Sequence, residues 1–151
     1  MEKFKDVNDI LDFAMAREQE AVDFYSNLAQ KARSEEMKAV FTEFAEEEIK
    51  HKIKIQKVKD EGIMTLSSEK VMDLQISDYT VHKSPTPDMT YEEALILAMN
   101  KEKAAFKLYT NLASKTDSAE IRELFLSLAA EESKHKLRFE IEYDEFVLKE
   151  N

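Results

Sequence analysis

The sequence predicts an all-α protein: a four-helix bundle made of two repeated helical hairpins with a long crossover linker between them. One Gly and two Pro stand among 151 residues rich in Glu, Lys, Ala and Leu, so helix is favoured almost throughout. Residues 14–52 and 98–136 align without a gap at an offset of 84 positions, with 18 identities in 39 positions. A duplicated pair of helices is the simplest explanation of this repeat.

Residues 1–151 are expected to form one domain, because a chain of this length can bury a single core. The first helix pair is assigned to about 6–60, the crossover linker to about 61–89 and the second helix pair to about 90–148. A linker this long allows the second and third helices to run parallel, as in bundles with one long crossover.

In the first hairpin, one helix is predicted from a cap at Asp6 to about Arg33. The next helix runs from a cap at Ser34 to about Asp60, before Gly62. Because the turn between these two helices is short, they are antiparallel neighbours.

In the second hairpin, Thr90 and Glu93 form a capping-box pattern that starts the third helix. The fourth helix is predicted from near Ser118 to about Leu148, which repeats the arrangement of the first hairpin. The linker could hold a short helix after Ser68.

Each of these helices carries an apolar seam, in which core-facing residues recur at alternating spacings of four and three. Six ionisable residues interrupt the seam: Glu18, Glu48, His51, Glu102, Glu132 and His135. A lone Glu-x-x-His pair is more often solvated, but two copies within an apolar seam favour metal ligands. Burying four carboxylates is unfavourable unless cations neutralise them, so the pattern predicts two metal ions. Carboxylate oxygen with one imidazole per ion suits iron or manganese, and suits zinc or cobalt less well.

Four further residues lie near this predicted site. Tyr25 and Tyr109 follow the first seam glutamate of each repeat by one heptad. They could donate hydrogen bonds to carboxylates across the core, although packing alone would explain them equally well. Glu47 and Glu131 lie one position off the seam, so we expect them to be exposed or next to the ligands rather than ligands themselves.

Other candidates are expected to stay outside the site. Glu20 is replaced by Ala104 in the second repeat and is assigned to the surface. Met15 and Met99 are assigned to the apolar core, and His82 in the linker is expected to take no part in the site.

The composition limits the classes of partner. A net charge of -10 argues against binding to nucleic acid or to an anionic membrane, and it favours attraction of cations. The absence of cysteine excludes a thiolate metal site within these residues. The polar N-terminus lacks the apolar run of a signal peptide, and no stretch is long enough to span a membrane, so we expect a cytoplasmic protein.

The pattern Glu-x-x-Ala-x-x-x-Tyr at Glu18, Ala21 and Tyr25, followed by Glu48-x-x-His51, resembles the rubrerythrin branch of the ferritin-like superfamily. The second repeat carries the same elements 84 positions later, so the resemblance covers nearly the whole chain apart from the linker. It implies a ferritin-like four-helix bundle with the six seam residues as ligands of a bridged di-iron centre. It also implies a homodimer, in which the long linker would allow helices to swap between chains.

Rubrerythrins typically reduce hydrogen peroxide, so the resemblance implies a di-iron oxidoreductase acting on peroxide or dioxygen. Typical members carry a rubredoxin domain with four cysteines, and the absence of cysteine here implies an external electron donor such as rubredoxin. Their third helix also carries a further glutamate three residues after the first, where this chain has Ala105. The site is therefore expected to be more symmetric than in typical members.

Two other functions remain open from the sequence. One is iron handling of the ferroxidase type, and the other is a metal-stabilised helical module without turnover. Peroxide consumption coupled to an external reductant would distinguish the oxidoreductase from both, and iron turnover in air would identify the ferroxidase.

Overall fold

The computed structural model describes residues 4–81 and 83–150, with the side chains of all of these except 149 and 150. The helices in this part of the chain are α1 (Val7–Lys31), α2 (Glu35–Glu61), α3 (Ser68–Met72), α4 (Tyr91–Lys115) and α5 (Ala119–Glu150), with a 3-10 helix at Ile76–Tyr79. No helix among these residues has both the length and the apolar character needed to cross a membrane. His82, which we expected to take no part in the site, lies outside the described residues.

The helix ends follow from local hydrogen bonds that the sequence predicted. The side chains of Asp6 and Ser34 each accept a hydrogen bond from the backbone N–H three residues later, which caps α1 and α2. Thr90 and Glu93 make both bonds of a capping box at the start of α4. Gly62 ends α2 in the left-handed conformation, at φ 61°, which glycine adopts without a steric cost.

The two long helices of each hairpin pack against each other, as the repeat predicted. In the first hairpin Lys52 contacts Gln19 and Lys59 contacts Asp12, so α1 and α2 are antiparallel. α1 and α4 are also antiparallel. Glu18 contacts Tyr109, whereas Tyr25, which comes later in α1, contacts Glu102, which comes earlier in α4. α2 and α4 therefore run parallel, as expected for a bundle with one long crossover.

The core consists of two apolar clusters with a layer of carboxylates and histidines between them. One cluster includes Leu11 and Phe125, and the other includes Phe41 and Phe139, whose rings stack at 5.7 Å. Met15 is buried in the first cluster and Met99 packs against the second, which confirms their assignment to the core. The polar layer thus interrupts the core near the middle of the bundle.

Candidate metal centre

All four long helices contribute to the polar layer, and the six predicted ligands meet there. Their exposed fractions are 2% for Glu18, 1% for Glu48, 0% for His51, 1% for Glu102, 1% for Glu132 and 2% for His135. All six residues lie within the long helices, which place their side chains at the same level of the bundle. The structure therefore brings together every residue that the sequence proposed as a ligand.

The six residues form two overlapping groups. The first group contains Glu18, Glu48, His51 and Glu132, and the second contains Glu48, Glu102, Glu132 and His135. Within each group, one potential ligand atom from each residue lies within 4.8 Å of the others. Glu48 and Glu132 belong to both groups, so their two oxygen atoms could bridge a pair of ions. The arrangement is compatible with a dinuclear metal site.

Unpaired polar atoms provide an independent test of whether these residues fit a metal. Among the described residues, the buried side-chain atoms without a hydrogen-bond partner are Oε2 of Glu18, Oε1 of Glu48, Nδ1 of His51, Oε2 of Glu102, Oε1 of Glu132 and Nδ1 of His135. Leaving one such atom unpaired costs about 1–3 kcal/mol. Each predicted ligand contributes one of these atoms, and each atom has a lone pair that a metal ion can accept. The donor set therefore fits two cations.

The Nδ1 atom of each predicted histidine ligand lies close to a carboxylate oxygen without a hydrogen bond between them. Nδ1 of His51 lies 2.8 Å from Oε1 of Glu132, and Nδ1 of His135 lies 3.1 Å from Oε1 of Glu48. Neither Nδ1 atom has a hydrogen-bond partner, so each lies close to a carboxylate oxygen without being paired. Such proximity is expected of ligands that surround a common ion.

Each histidine is oriented by a glutamate from the opposite hairpin. Nε2 of His51 donates to Glu131, and Nε2 of His135 donates to Glu47. In the neutral histidine, a proton on Nε2 leaves the lone pair on Nδ1, which faces the carboxylate cluster. Glu131 and Glu47 have side chains that are 36% and 33% exposed, so they lie next to the predicted ligands rather than among them.

Two buried tyrosines bind the first seam glutamates across the bundle. The hydroxyl group of Tyr25 donates to Oε1 of Glu102, and that of Tyr109 donates to Oε1 of Glu18. The 84-residue offset converts one of these bonds into the other. The same offset exchanges the two histidine–glutamate contacts, so a pseudo-two-fold axis relates the hairpins and passes through the site.

Burial determines the protonation of the carboxylates when no cation is present. Burial raises the pKa of Glu48 well above its usual range, and the nearby charges of Glu18 and Glu102 raise it further. The pKa of Glu132 is raised in the same way by burial and by its carboxylate neighbours. Metal ions would compete with these protons, because cations remove the mutual repulsion of the carboxylates.

One buried carboxylate outside this layer was not predicted from the sequence. Glu142 on α5 is 1% exposed and accepts hydrogen bonds from Arg33, at 2.8 Å, and from Tyr91, at 2.8 Å. It lies three residues after Phe139, so continuing the seam by one step would have identified it as inward-facing. Glu20, by contrast, is half exposed and pairs with Arg17 at 2.7 Å, in agreement with its assignment to the surface.

Comparisons with known proteins agree with this arrangement. The family model described as rubrerythrin matches residues 9–85 and 93–151. A crystal structure described as a ferritin-like diiron-carboxylate protein from Thermotoga maritima matches with a TM-score of 0.78 and 24% sequence identity, covering 96% of this chain and 99% of that chain. That similarity shows the shared ferritin-like fold. The search of curated proteins gave no match.

Proposed function

The chain belongs to the rubrerythrin family, and on that premise we propose that it is a di-iron oxidoreductase that reduces hydrogen peroxide, or dioxygen. Electrons would come from an external donor protein of the rubredoxin type. The observation that carries the proposal is the set of six buried, unpaired ligand atoms, one from each of four glutamates and two histidines. The same donor set holds the metals of carboxylate di-iron and di-manganese bundles.

Iron is proposed because each ion would receive mainly carboxylate oxygen and a single imidazole nitrogen, a donor set that suits iron and manganese. When bound, two ferrous ions would supply the two electrons that convert hydrogen peroxide and two protons into two water molecules. Glu48 and Glu132 would hold both ions, and the remaining four residues would each hold one. Manganese and zinc are the competing occupants.

The chain itself fixes the geometry of the ligands. Glu131 and Glu47 direct Nδ1 of each histidine into the site, and Tyr25 and Tyr109 restrain the two glutamates that they contact. The apolar clusters above and below the polar layer exclude water from the ligands along the direction of the bundle. The ligands therefore need little rearrangement when the ions change charge.

Ferroxidase-type iron handling is the second candidate, and the net charge of -10 favours it because an acidic surface attracts ferrous ions. The two functions predict different oxidants. A reductase of peroxide should react faster with peroxide than with dioxygen, whereas a ferroxidase should oxidise and release iron in air.

The test is stopped-flow mixing of anaerobically reduced, fully iron-loaded protein with hydrogen peroxide and, separately, with dioxygen. We expect one fast oxidation by peroxide, then a stall, because the centre stores two electrons. Adding a rubredoxin and its reductase should restore steady turnover. Glu48→Ala should abolish both phases, while Glu46→Ala, an exposed neighbour, should retain them. If peroxide is no faster than dioxygen, the reductase proposal fails and iron handling is favoured; the absence of any oxidation would leave a metal-stabilised module.

A further inference from the structure

A cavity of about 440 Å³ lies between α1, α4 and the crossover linker. Its buried end is formed by the four carboxylates of the candidate metal centre. The linker closes one side of it with residues 79–81 and 83–85. The cavity therefore connects the polar layer with the surface, along the face where the two hairpins meet through α1 and α4.

The middle of the cavity is lined by small and apolar side chains. Ala21 and Ala105, which are equivalent in the repeat, lie three residues after Glu18 and Glu102 on the same helix faces. A methyl group at each position leaves open space beside these two glutamates. Phe24, Leu108 and Ala104 complete an apolar wall.

The outer end of the cavity is positively charged on balance, although the whole chain carries a net charge of -10. Three cationic side chains line the cavity, Arg17, Lys83 and Lys101, against two surface carboxylates, Glu20 and Asp23.

Lys101 is the cation that a ligand could use. Its side chain is only 16% exposed, and its ammonium group lies 3.9 Å from Glu20. The same glutamate already accepts two hydrogen bonds from Arg17, at 2.7 and 3.1 Å. Because the carboxylate is engaged elsewhere, the Lys101 charge is only weakly compensated and can bind an anionic group.

The size of the cavity does not match hydrogen peroxide alone. A molecule of two heavy atoms needs little more room than water, which occupies about 30 Å³ in the liquid. Even with space set aside for two ions beside the carboxylates, most of the 440 Å³ remains. Its volume is within the range of sites for small organic ligands, which measure about 300–1,000 Å³, and its apolar middle section lies between two charged ends.

We propose that this cavity binds a small apolar molecule with one anionic group, and that an organic hydroperoxide of this kind is a substrate. The anionic group would bind Lys101, because the carboxylates at the buried end repel a negative charge. The neutral hydroperoxide group would then lie next to the metal centre. The substrate claim rests on the peroxide reduction proposed above, whereas the binding claim rests on the cavity alone.

The reaction is a two-electron reduction. The O–O bond of the hydroperoxide breaks, and two electrons from the external donor protein, with two protons, convert the molecule into the corresponding alcohol and one water molecule. No atom is transferred to the protein.

Binding can be measured by calorimetric titration of metal-loaded protein with decanoate and, for comparison, decanol. We expect Lys101→Gln to weaken decanoate binding at least tenfold and to leave decanol binding nearly unchanged. Ala105→Phe, which fills the cavity, should weaken both ligands at least tenfold. Lys103→Gln and Ala130→Phe, which alter exposed positions outside the cavity, should change neither.

The proposal is overturned if decanoate does not bind, or if it binds equally well to the wild type and to Lys101→Gln. The comparison of decanoate binding by the wild type and by Lys101→Gln does not depend on Ala105→Phe, so it decides the proposal even if Ala105→Phe fails to fold. Stopped-flow mixing with a decanoate hydroperoxide separates the two claims. If hydrogen peroxide oxidises the reduced protein but decanoate neither binds nor slows the reaction, only this inference fails. If decanoate binds as expected and neither peroxide reacts, the proposed function fails and the binding site stands.

Discussion

The hydroxyl group of Tyr25 donates a hydrogen bond to Glu102, which lies 77 positions away on the other hairpin. Both side chains are almost completely buried, at 0% and 1% exposed. The bond therefore joins α1 to α4 at the level of the candidate metal centre, and it restrains one of the predicted ligands.

Tyr25→Phe should destabilise the metal-loaded protein by about 1.5–3 kcal/mol, because it leaves a buried carboxylate oxygen without its donor. The free energy of unfolding in urea provides the measurement. Tyr143→Phe is the matched control, since the hydroxyl group of Tyr143 donates to Glu92 near the surface and its loss should have little effect. Equal effects of the two substitutions on the free energy of unfolding would show that the buried bond stabilises the protein no more than the exposed one.

Glu47→Ala should weaken metal binding about 10–100-fold, because the carboxylate that orients His135 is removed. Competition with a chromogenic chelator measures this affinity. Glu46→Ala changes the adjacent, exposed position and should leave the affinity unaltered. An unchanged affinity in Glu47→Ala would mean that the histidine keeps its orientation without this partner.

Ionisation of Tyr91 should lower the stability of the protein at alkaline pH. Burial raises the pKa of Tyr91 above its usual value, and its hydrogen bond to Glu142 raises it further. Since the folded pKa exceeds the unfolded value of about 10, the contribution of Tyr91 is fully present below pH 10 and is lost as the pH rises above it. The stability advantage of the wild type over Tyr91→Phe, measured by urea unfolding, should therefore stay constant up to about pH 10 and shrink as the pH rises further. Parallel stability curves would contradict this assignment.

Removing the metal should lower the thermal midpoint at neutral pH. Without cations, the crowded carboxylates of Glu48 and Glu132 must bind protons or repel one another. Bound metal stabilises the folded state by about 4 kcal/mol when its free concentration is 1,000 times the dissociation constant. Calorimetry of loaded and chelator-treated protein makes the comparison, after elemental analysis verifies removal. Equal midpoints would be incompatible with a buried dinuclear site.

Much of the fold could be predicted because its signals are local or repeated. Capping residues such as Asp6, Ser34 and Thr90 act within one helical turn, so the sequence alone indicates where the helices begin. The offset of 84 residues, combined with the apolar seam, placed all six predicted ligands on the inside. Predicted helix ends differ from the observed ones by one or two residues, which is the usual fraying of helix termini.

The remaining features depend on contacts between distant segments. Glu142 is buried because Arg33, 109 positions away, compensates its charge, and the repeat has no counterpart of this pair. The partners of the histidines became evident only when α2 and α5 were placed side by side. The cavity depends on the path of the linker over α1 and α4, which no spacing of residues specifies.

The most direct test of the dinuclear centre is an anaerobic equilibrium titration of metal-free protein with ferrous iron. The wild type and Glu46→Ala should each bind two ions per chain. Glu48→Ala and Glu132→Ala should lose tight binding at both positions, because each removes a ligand that the two groups share. A wild-type stoichiometry below two, or an unchanged stoichiometry and affinity in Glu48→Ala, would contradict a centre built from these six residues.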